Sequence, residues 1–409
     1  MKFRQIGRAT LASVLSLAIG LGITACSTDY TIAYLYVTAQ NKGTTASTNG
    51  LISAYKIDNQ SGTLEQMDGS PFGSGGRDPV AEVVSPNGLF LYVINQIDSS
   101  VVEFAIGTDG KLYPQNTYTL GAASTGGTIP TSVAIDPQSK FLYVAFTYRP
   151  GFTPASPGPG GVTVFPINSD YSLGTPVANG SLQYFPAGNN PVSIFASPLN
   201  NFLYLVDQGD ASVVGYSIGS NGALTLLSGC KTTAGVPTCF QAGVSPSAIN
   251  EELTSRFVYV TDRASNQFIG YDVATNGNLT PMTNSPFGTD NYPVAILTDP
   301  RAKYLYIANY NSSTIRSYAL DPATGAPSGV SGAGSVAVAT GPNFITIEPS
   351  LGIYVYTSNF LDNSVSGMQM DPHNGTLVQI QNTPFGTSAN PTCVASAAAG
   401  SHATQYIQP

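Results

Sequence analysis

The sequence predicts an all-β fold: a seven-bladed β-propeller of four-stranded antiparallel blades, its ring closed by the N- and C-terminal strands. Three observations carry this. One phrase recurs along the chain, "PVAEVVSPNGLFLYVIN" from Pro79 returning as "PTSVAIDPQSKFLYVAF", "PVSIFASPLNNFLYLVD" and "PVAILTDPRAKYLYIAN". Seven prolines open such units (Pro79, Pro130, Pro191, Pro246, Pro293, Pro342 and Pro391), and seven tyrosines mark the second run (Tyr36, Tyr92, Tyr143, Tyr204, Tyr259, Tyr306 and Tyr356). The runs are short, rich in β-branched and aromatic residues, and without a helical period.

Each unit contributes its elements in the same order. A first run opens at the proline and ends in a turn such as "SPNG"; the second run carries the tyrosine. A third run alternates, as in "SSVVEFAI", "ASVVGYSI", "STIRSYAL" and "NSVSGMQM", and glycine-bearing turns such as "GTDGKL", "GSNGAL" and "ATNGNL" read as hairpins into a fourth. That fourth run is the least regular and ends three times in "PFG", at Pro71, Pro286 and Pro384. A four-stranded unit cannot bury both faces alone, so the units must pack around an axis. The two lists are offset: Tyr36 follows no proline unit, and Pro391 precedes no clear one. Pro391 to Ala397 is therefore expected to form the innermost strand of the blade that holds Tyr36, which removes an exposed sheet edge. Tyr406 in the tail "ATQYIQP" is the competing second-strand residue.

The chain start has a different character. Lys2, Arg4 and Arg8 precede an apolar stretch from Leu11 to Ile23, and "ITAC" follows before Ser27. The run sits at the short limit for crossing a bilayer and ends in small residues, the layout of an export signal. Ile23 to Cys26 resembles the bacterial lipobox, which implies cleavage before Cys26 and its acylation. The expected organisation is a signal peptide over 1–25, a tether over 26–31 and one propeller over 32–409. The membrane is then a partner through the lipid anchor. Ser27 is not the aspartate that retains many such lipoproteins at the inner membrane, which favours the outer membrane or cell surface.

Only 9% of residues are charged and the net charge is −8, so no basic stripe exists for nucleic-acid phosphates. Export permits disulfides, and Cys230 and Cys239 flank "KTTAGVPT", a loop able to bring them together. A metal pair there lacks further Cys or His nearby. Cys393 lies in an apolar run and reads as a small buried residue.

The units resemble YVTN-type propeller repeats. Over nearly the whole mature chain they resemble the lactonase family of seven-bladed propellers, which includes 6-phosphogluconolactonases and muconate-lactonizing enzymes; "SPNGLFLYV" at Ser85 to Val93 is typical of it. The resemblance implies a site on one face of the ring built from histidine, arginine and glutamate, with Gly-Pro-Arg-His before an inner strand and Asn-Glu-Leu after the tyrosine strand. Here the stretch reads "NNPVSIFASPLNNFLYLVDQGD": Val192 and Ser193 stand at the Arg-His place, and Asp207 and Gln208 at the Asn-Glu place. No catalytic residue transfers. The two histidines are His373, in the turn "DPHNG", and His402, in the tail. No G-x-S-x-G, Walker or dinucleotide loop occurs, and the acids and amides lack the repeated D-x-D of a Ca²⁺ loop, so no cofactor or metal is expected.

Candidate site residues come from departures within the repeat. The ends of the second strands and the residues before the prolines converge on one face. Asn95, Asp207, Asp262, Asn309 and Asn359 stand three places after the tyrosines, joined by Arg77, Asp78, Asn190, Gln208, Arg263, Tyr292, Tyr310 and Asn390. Two readings compete: caps of turns, or a polar rim for a carbohydrate, lactone or protein ligand or a cation. Glu82 and Glu251 break apolar columns of the inner strands and need channel water or a partner. The insertion "TYRPGFTPASPGPGG" over 148–161 is a lid or a surface excursion. The expected function is binding or scaffolding through this face, the rival being a lactonase with Glu82, Asp207 or Asp262 as base.

Overall fold

Proline stands at or within two residues of the start of every inner strand because that strand's inward edge faces the ring axis, where a missing N–H breaks no ladder. The computed structural model describes residues 30–41, 48–120, 128–199, 201–330 and 334–400. The export segment, Cys26, His402 and Tyr406 lie outside them. Seven antiparallel sheets follow one another around the ring. Blade 2 takes the strands Pro79–Val84, Phe90–Asn95, Ser100–Ile106 and Leu112–Thr119 from inside to outside, and blades 3 to 7 repeat the order.

Blade 1 closes the ring. Its inner strand, Asn390–Ala398, pairs antiparallel with Thr31–Gln40, aligning Ala395 with Tyr36 and Val394 with Val37. In five blades the outer run is split: a three-residue strand is followed by a short piece that returns to the third strand. "PFG" supplies that piece in blades 1, 5 and 7, each time after a cis proline. Cys230 and Cys239 form a disulfide across the small hairpin of Lys231–Thr233 and Val236–Thr238. Cys393 is free and buried.

The apolar side chains gather between blades rather than at the axis. Seven clusters, one per junction, hold the buried residues. Between blades 5 and 6, for example, Tyr259, Phe268, Ile296, Leu305 and Tyr318 pack together. No blade has a core of its own, so burial of roughly 25 cal/mol per Å² of apolar surface is gained only on assembly.

Directed hydrogen bonds fix how adjacent blades meet. The second-strand tyrosine donates to a backbone carbonyl in the next blade's third-to-fourth turn. Five such bonds reach a glycine, Tyr36 to Gly110, Tyr204 to Gly277, Tyr259 to Gly325, Tyr306 to Gly375 and Tyr356 to Gly62, at 2.6–3.2 Å. Tyr92 reaches Tyr171 at 2.6 Å. The aromatic two places earlier covers the same glycine: at Gly325 a Cβ would run into the Phe257 ring, and φ of +66° is left-handed. Third-strand tyrosines bind backward, Tyr318 to Gly288 at 2.7 Å and Tyr55 to Gly386 at 2.5 Å.

A third set of bonds circles the opposite face. In every inner strand the register shifts just after the proline, leaving one extra residue that the bulge turns out of the ladder. Where that residue is polar it donates to a proline carbonyl of the next blade: Thr392 to Pro79, Thr131 to Pro191, Ser247 to Pro293 and Asn343 to Pro391, at 2.7–3.0 Å. Where it is Val80 or Val192, a glutamine at the end of the second strand does the same. Gln96 reaches Pro130 at 3.3 Å and Gln208 reaches Pro246 at 2.9 Å.

Tyr259→Phe is expected to destabilise the protein by about 1 kcal/mol in chemical denaturation, because it leaves the buried Gly325 carbonyl unpaired. Gly325→Ala should cost more, since it adds a clash and backbone strain. Equal midpoints for wild type and Tyr259→Phe would show that the bond does not hold the junction.

Candidate functional site

The second strands end, and the inner strands begin, on one face, so this mouth collects the polar residues at those positions. Asn95, Asp207, Asp262, Asn309 and Asn359 are fully buried there. Each amide or acid is engaged by the protein's own chain. Ser74 donates to Asn95 at 3.0 Å, and Thr289 donates to Asn309 at 3.1 Å. Asp262 accepts from the N–H groups of Val244 and Ser245 at 3.0 and 2.9 Å, and Asn359 lies 3.0 Å from the hydroxyls of Ser364 and Ser366. These bonds tie the incoming connectors to the strand ends, the arrangement of turn caps.

The two acids are shifted in opposite directions. Burial raises the Asp262 carboxyl, but the N–H groups of Ser245 and Val244 and the side chains of Ser265 and Gln267 outweigh it and hold the group below its ordinary range. Asp207 receives only the Gly188 N–H, at 2.9 Å, and its second oxygen has no partner. Burial, with Asp210 nearby, therefore pushes it well above that range despite Arg149.

A second group at the mouth is half exposed and linked side chain to side chain. Asn190 donates to Gln208 Oε1 at 3.2 Å, and Arg263 donates to the same oxygen at 2.9 Å and to Ser245 Oγ at 3.2 Å. The Arg263 guanidinium lies 5.4 Å from the centre of the Tyr292 ring, and that ring lies 6.1 Å from Tyr310. Asn190 and Tyr292 stand directly before prolines at φ of +52° and +62°, as do Asp78 at +57° and Ile129 at +63°. Left-handed backbone is unfavourable there, and strain of this kind collects at functional sites. The result is an arc of amide, guanidinium and two phenol rings across blades 4 to 6.

Arg77 does not join the arc: it pairs with Asp98, with Nε at 2.7 Å from Oδ1, on the blade 2 connector. Burial raises the neighbouring Asp78 carboxyl against a bond from Gln40. Asn390 donates to the Phe360 carbonyl at 2.7 Å. The 148–161 insertion leans on the disulfide hairpin, Arg149 donating to Gly235 O at 3.2 Å, while Gly160 packs against Pro191 at the mouth.

Below the mouth the inner strands enclose a cavity of about 530 Å³ whose wall includes Thr131, Ser193, Ser247, Asn343 and Thr392. Glu82 belongs to a strand of that wall, but both its carboxyl oxygens are buried away from the cavity. They are enclosed beside blade 1, facing the backbone N–H groups of Thr38 and Ala395, and burial raises the carboxyl's pKa well above the usual range although those N–H groups oppose this. Glu251 does not share that position. It turns toward blade 4, accepts from Ser197 Oγ at 3.0 Å, and is raised by burial to about 8. His373 is exposed in its turn, 3.1 Å from Asp371, away from all of these groups.

The sequence marked the positions of the arc but not the bonds within it. Arg149 and Asp210 were not singled out. Their signal, a cation at the start of an insertion and an acid three places after a strand-end acid, is too common to stand out.

The model of the family described as "Lactonase, 7-bladed beta-propeller" matches residues 34–235 and 183–344. The 6-phosphogluconolactonase of Pectobacterium carotovorum subsp. carotovorum strain PC1 is 26% identical over 281 residues, 59% of this chain and 81% of that one. Among solved structures, the Pseudomonas aeruginosa periplasmic gluconolactonase PpgL superposes with a TM-score of 0.71 at 18% identity, covering 90% of this chain and 100% of that one. A Bacteroides fragilis protein gives 0.69 at 19% identity, covering 91% and 99%. At these identities the structural matches speak for the fold.

The Glu251 shift gives a pH dependence with a defined sign. Its folded-state pKa lies above the unfolded value near 4.5, so its contribution is fully present below that pH and is lost as pH rises through about 8. The melting temperature of wild type should fall between pH 5 and 8.5, and Glu251→Gln should flatten part of that fall. Parallel curves for the two proteins would show that Glu251 carries no such linkage.

Proposed function

Because this chain belongs to the lactonase family of seven-bladed β-propellers, we propose that it binds a small hydroxyl-rich acid or its lactone at the mouth of the ring, without turnover. The observation that carries this is the state of the charged groups there. Arg263 is held by Gln208 and Ser245 beside two phenol rings, a donor fork suited to a carboxylate or a lactone carbonyl. The mouth acid Asp262 is spent on backbone N–H groups, which leaves it poorly placed to act as a base. Concave sites with a few converging polar groups above an apolar wall suit such ligands.

A second reading is hydrolysis of a sugar-derived lactone. It draws on the relatives described as 6-phosphogluconolactonase and periplasmic gluconolactonase, and on Glu82, a buried carboxyl behind the wall of the central cavity. Burial raises the pKa of Glu82, which favours its neutral form and suits an acid or a hydrogen-bond donor better than a base. We further propose that the protein is exported and held to a membrane through Cys26, with the outer membrane or cell surface as its place. The three-part N-terminal layout supports this, and the periplasmic relative is in keeping with export.

Calorimetric titration of the mature protein with D-gluconate and D-glucono-1,5-lactone tests the binding reading. Wild type should bind at least one of them, and Arg263→Ala should weaken it about tenfold with the melting temperature unchanged. Unaltered affinity in Arg263→Ala would remove the mouth from consideration. Lactone hydrolysis faster than in buffer, and abolished in Glu82→Gln, would replace binding by catalysis. For the anchor, Cys26→Ser should move the protein from the membrane fraction to the soluble or unprocessed pool; an unchanged distribution would refute lipid attachment.

A further inference from the structure

The blade-to-blade clasp fails at one junction. In six blades the second-strand tyrosine donates to a carbonyl of the following blade, but Tyr143 of blade 3 is fully buried and its hydroxyl has no partner. That junction also holds a cavity of about 260 Å³, lined by Tyr143, Phe141, Lys140, Ser197, Leu199 and Ile218 among others. The turns around it join first to second and third to fourth strands, so it opens on the face opposite the mouth. A neighbouring depression shares Gln138, Lys140, Phe141 and Ser220 with it.

The wall chemistry is lopsided. Its one carboxylate, Asp136, is consumed by the N–H groups of Gln138, Lys140 and Phe141 at 2.5–2.7 Å. The acid behind Ser197, Glu251, is raised to about 8 by burial and so carries little negative charge at neutral pH. What remains is a deep donor without an acceptor, an apolar wall of Phe141, Leu199 and Ile218, and the exposed Lys140 at the outer edge. A buried donor left unpaired costs about 1–3 kcal/mol, and an acceptor brought by a ligand removes that cost. The volume lies below that of drug-sized pockets and fits a compact molecule.

We infer that this cavity is a second ligand site, for a short keto acid or a molecule of the same chemistry. The ligand's carbonyl accepts from the Tyr143 hydroxyl, its apolar body lies against Phe141, Leu199 and Ile218, and its carboxylate pairs with Lys140.

Ligand-observed NMR and calorimetry on the intact mature protein test this with three probes: levulinate, pentanoate, which lacks the carbonyl, and 2-pentanone, which lacks the carboxylate. Levulinate should bind about tenfold more tightly than either. Tyr143→Phe removes only an unpartnered hydroxyl and should fold normally. It should bring levulinate down to the affinity of pentanoate and leave pentanoate unchanged. Lys140→Ala should weaken both carboxylates, and Arg263→Ala at the mouth should affect none of the three. Absence of levulinate binding to wild type, or a levulinate preference that survives in Tyr143→Phe, overturns the inference whatever happens at the mouth.

Discussion

The contact between neighbouring blades is the interaction on which this structure depends. A four-stranded sheet with two apolar faces gains little by folding alone, and here all the large buried clusters lie between blades. Hydrophobic burial is non-directional, however, and does not by itself set the angle between sheets. The tyrosine that reaches the next blade's turn supplies that direction, with an aromatic two places earlier seated on the same turn. Repeating one clasp around a circle generates the ring. The final step is the pairing of Asn390–Ala398 with Thr31–Gln40, which joins two distant parts of the chain in one blade.

The same architecture explains why polar residues at the mouth fall into two kinds. Side chains at the last place of the second strand point into the junction and meet the connector on its way to the inner strand. Polar atoms are needed there because the connector's N–H groups are buried and must be satisfied. Asp262 does this with both oxygens. Side chains one place later, or directly before the prolines, emerge into the opening, where Gln208, Arg263, Tyr292 and Tyr310 meet one another. One residue of register separates a cap from a surface able to meet a ligand.

Departures from the repeat matter more than the repeat itself when chemistry is sought. Glu82 interrupts a column that is apolar in the other blades and puts a buried carboxyl beside blade 1. Tyr143 keeps the repeat's residue but loses its partner, and a cavity opens at that junction. The first departure is visible in the letters of the sequence. The second is not, because the residue is the expected one and only its partner is missing.

The sequence by itself determined the number of blades, the order of strands within each, the closure by Pro391 to Ala397 and the disulfide between Cys230 and Cys239. These follow from local signals: period-two apolar runs, turn glycines, opening prolines and two cysteines on one short loop. Only the tertiary structure decided what each polar side chain does. The bulge after every proline turns Thr131, Ser247, Asn343 and Thr392 toward the next blade's carbonyls, and nothing in their residue types announces it. Glu82 and Glu251 looked alike as acids within inner strands, yet Glu82 is enclosed facing backbone N–H groups of blade 1, whereas Glu251 accepts from the Ser197 hydroxyl of blade 4. The physical reason is that strand periodicity fixes which face a side chain points to, whereas its partners come from a different blade, dozens of residues away, through packing that no local pattern encodes.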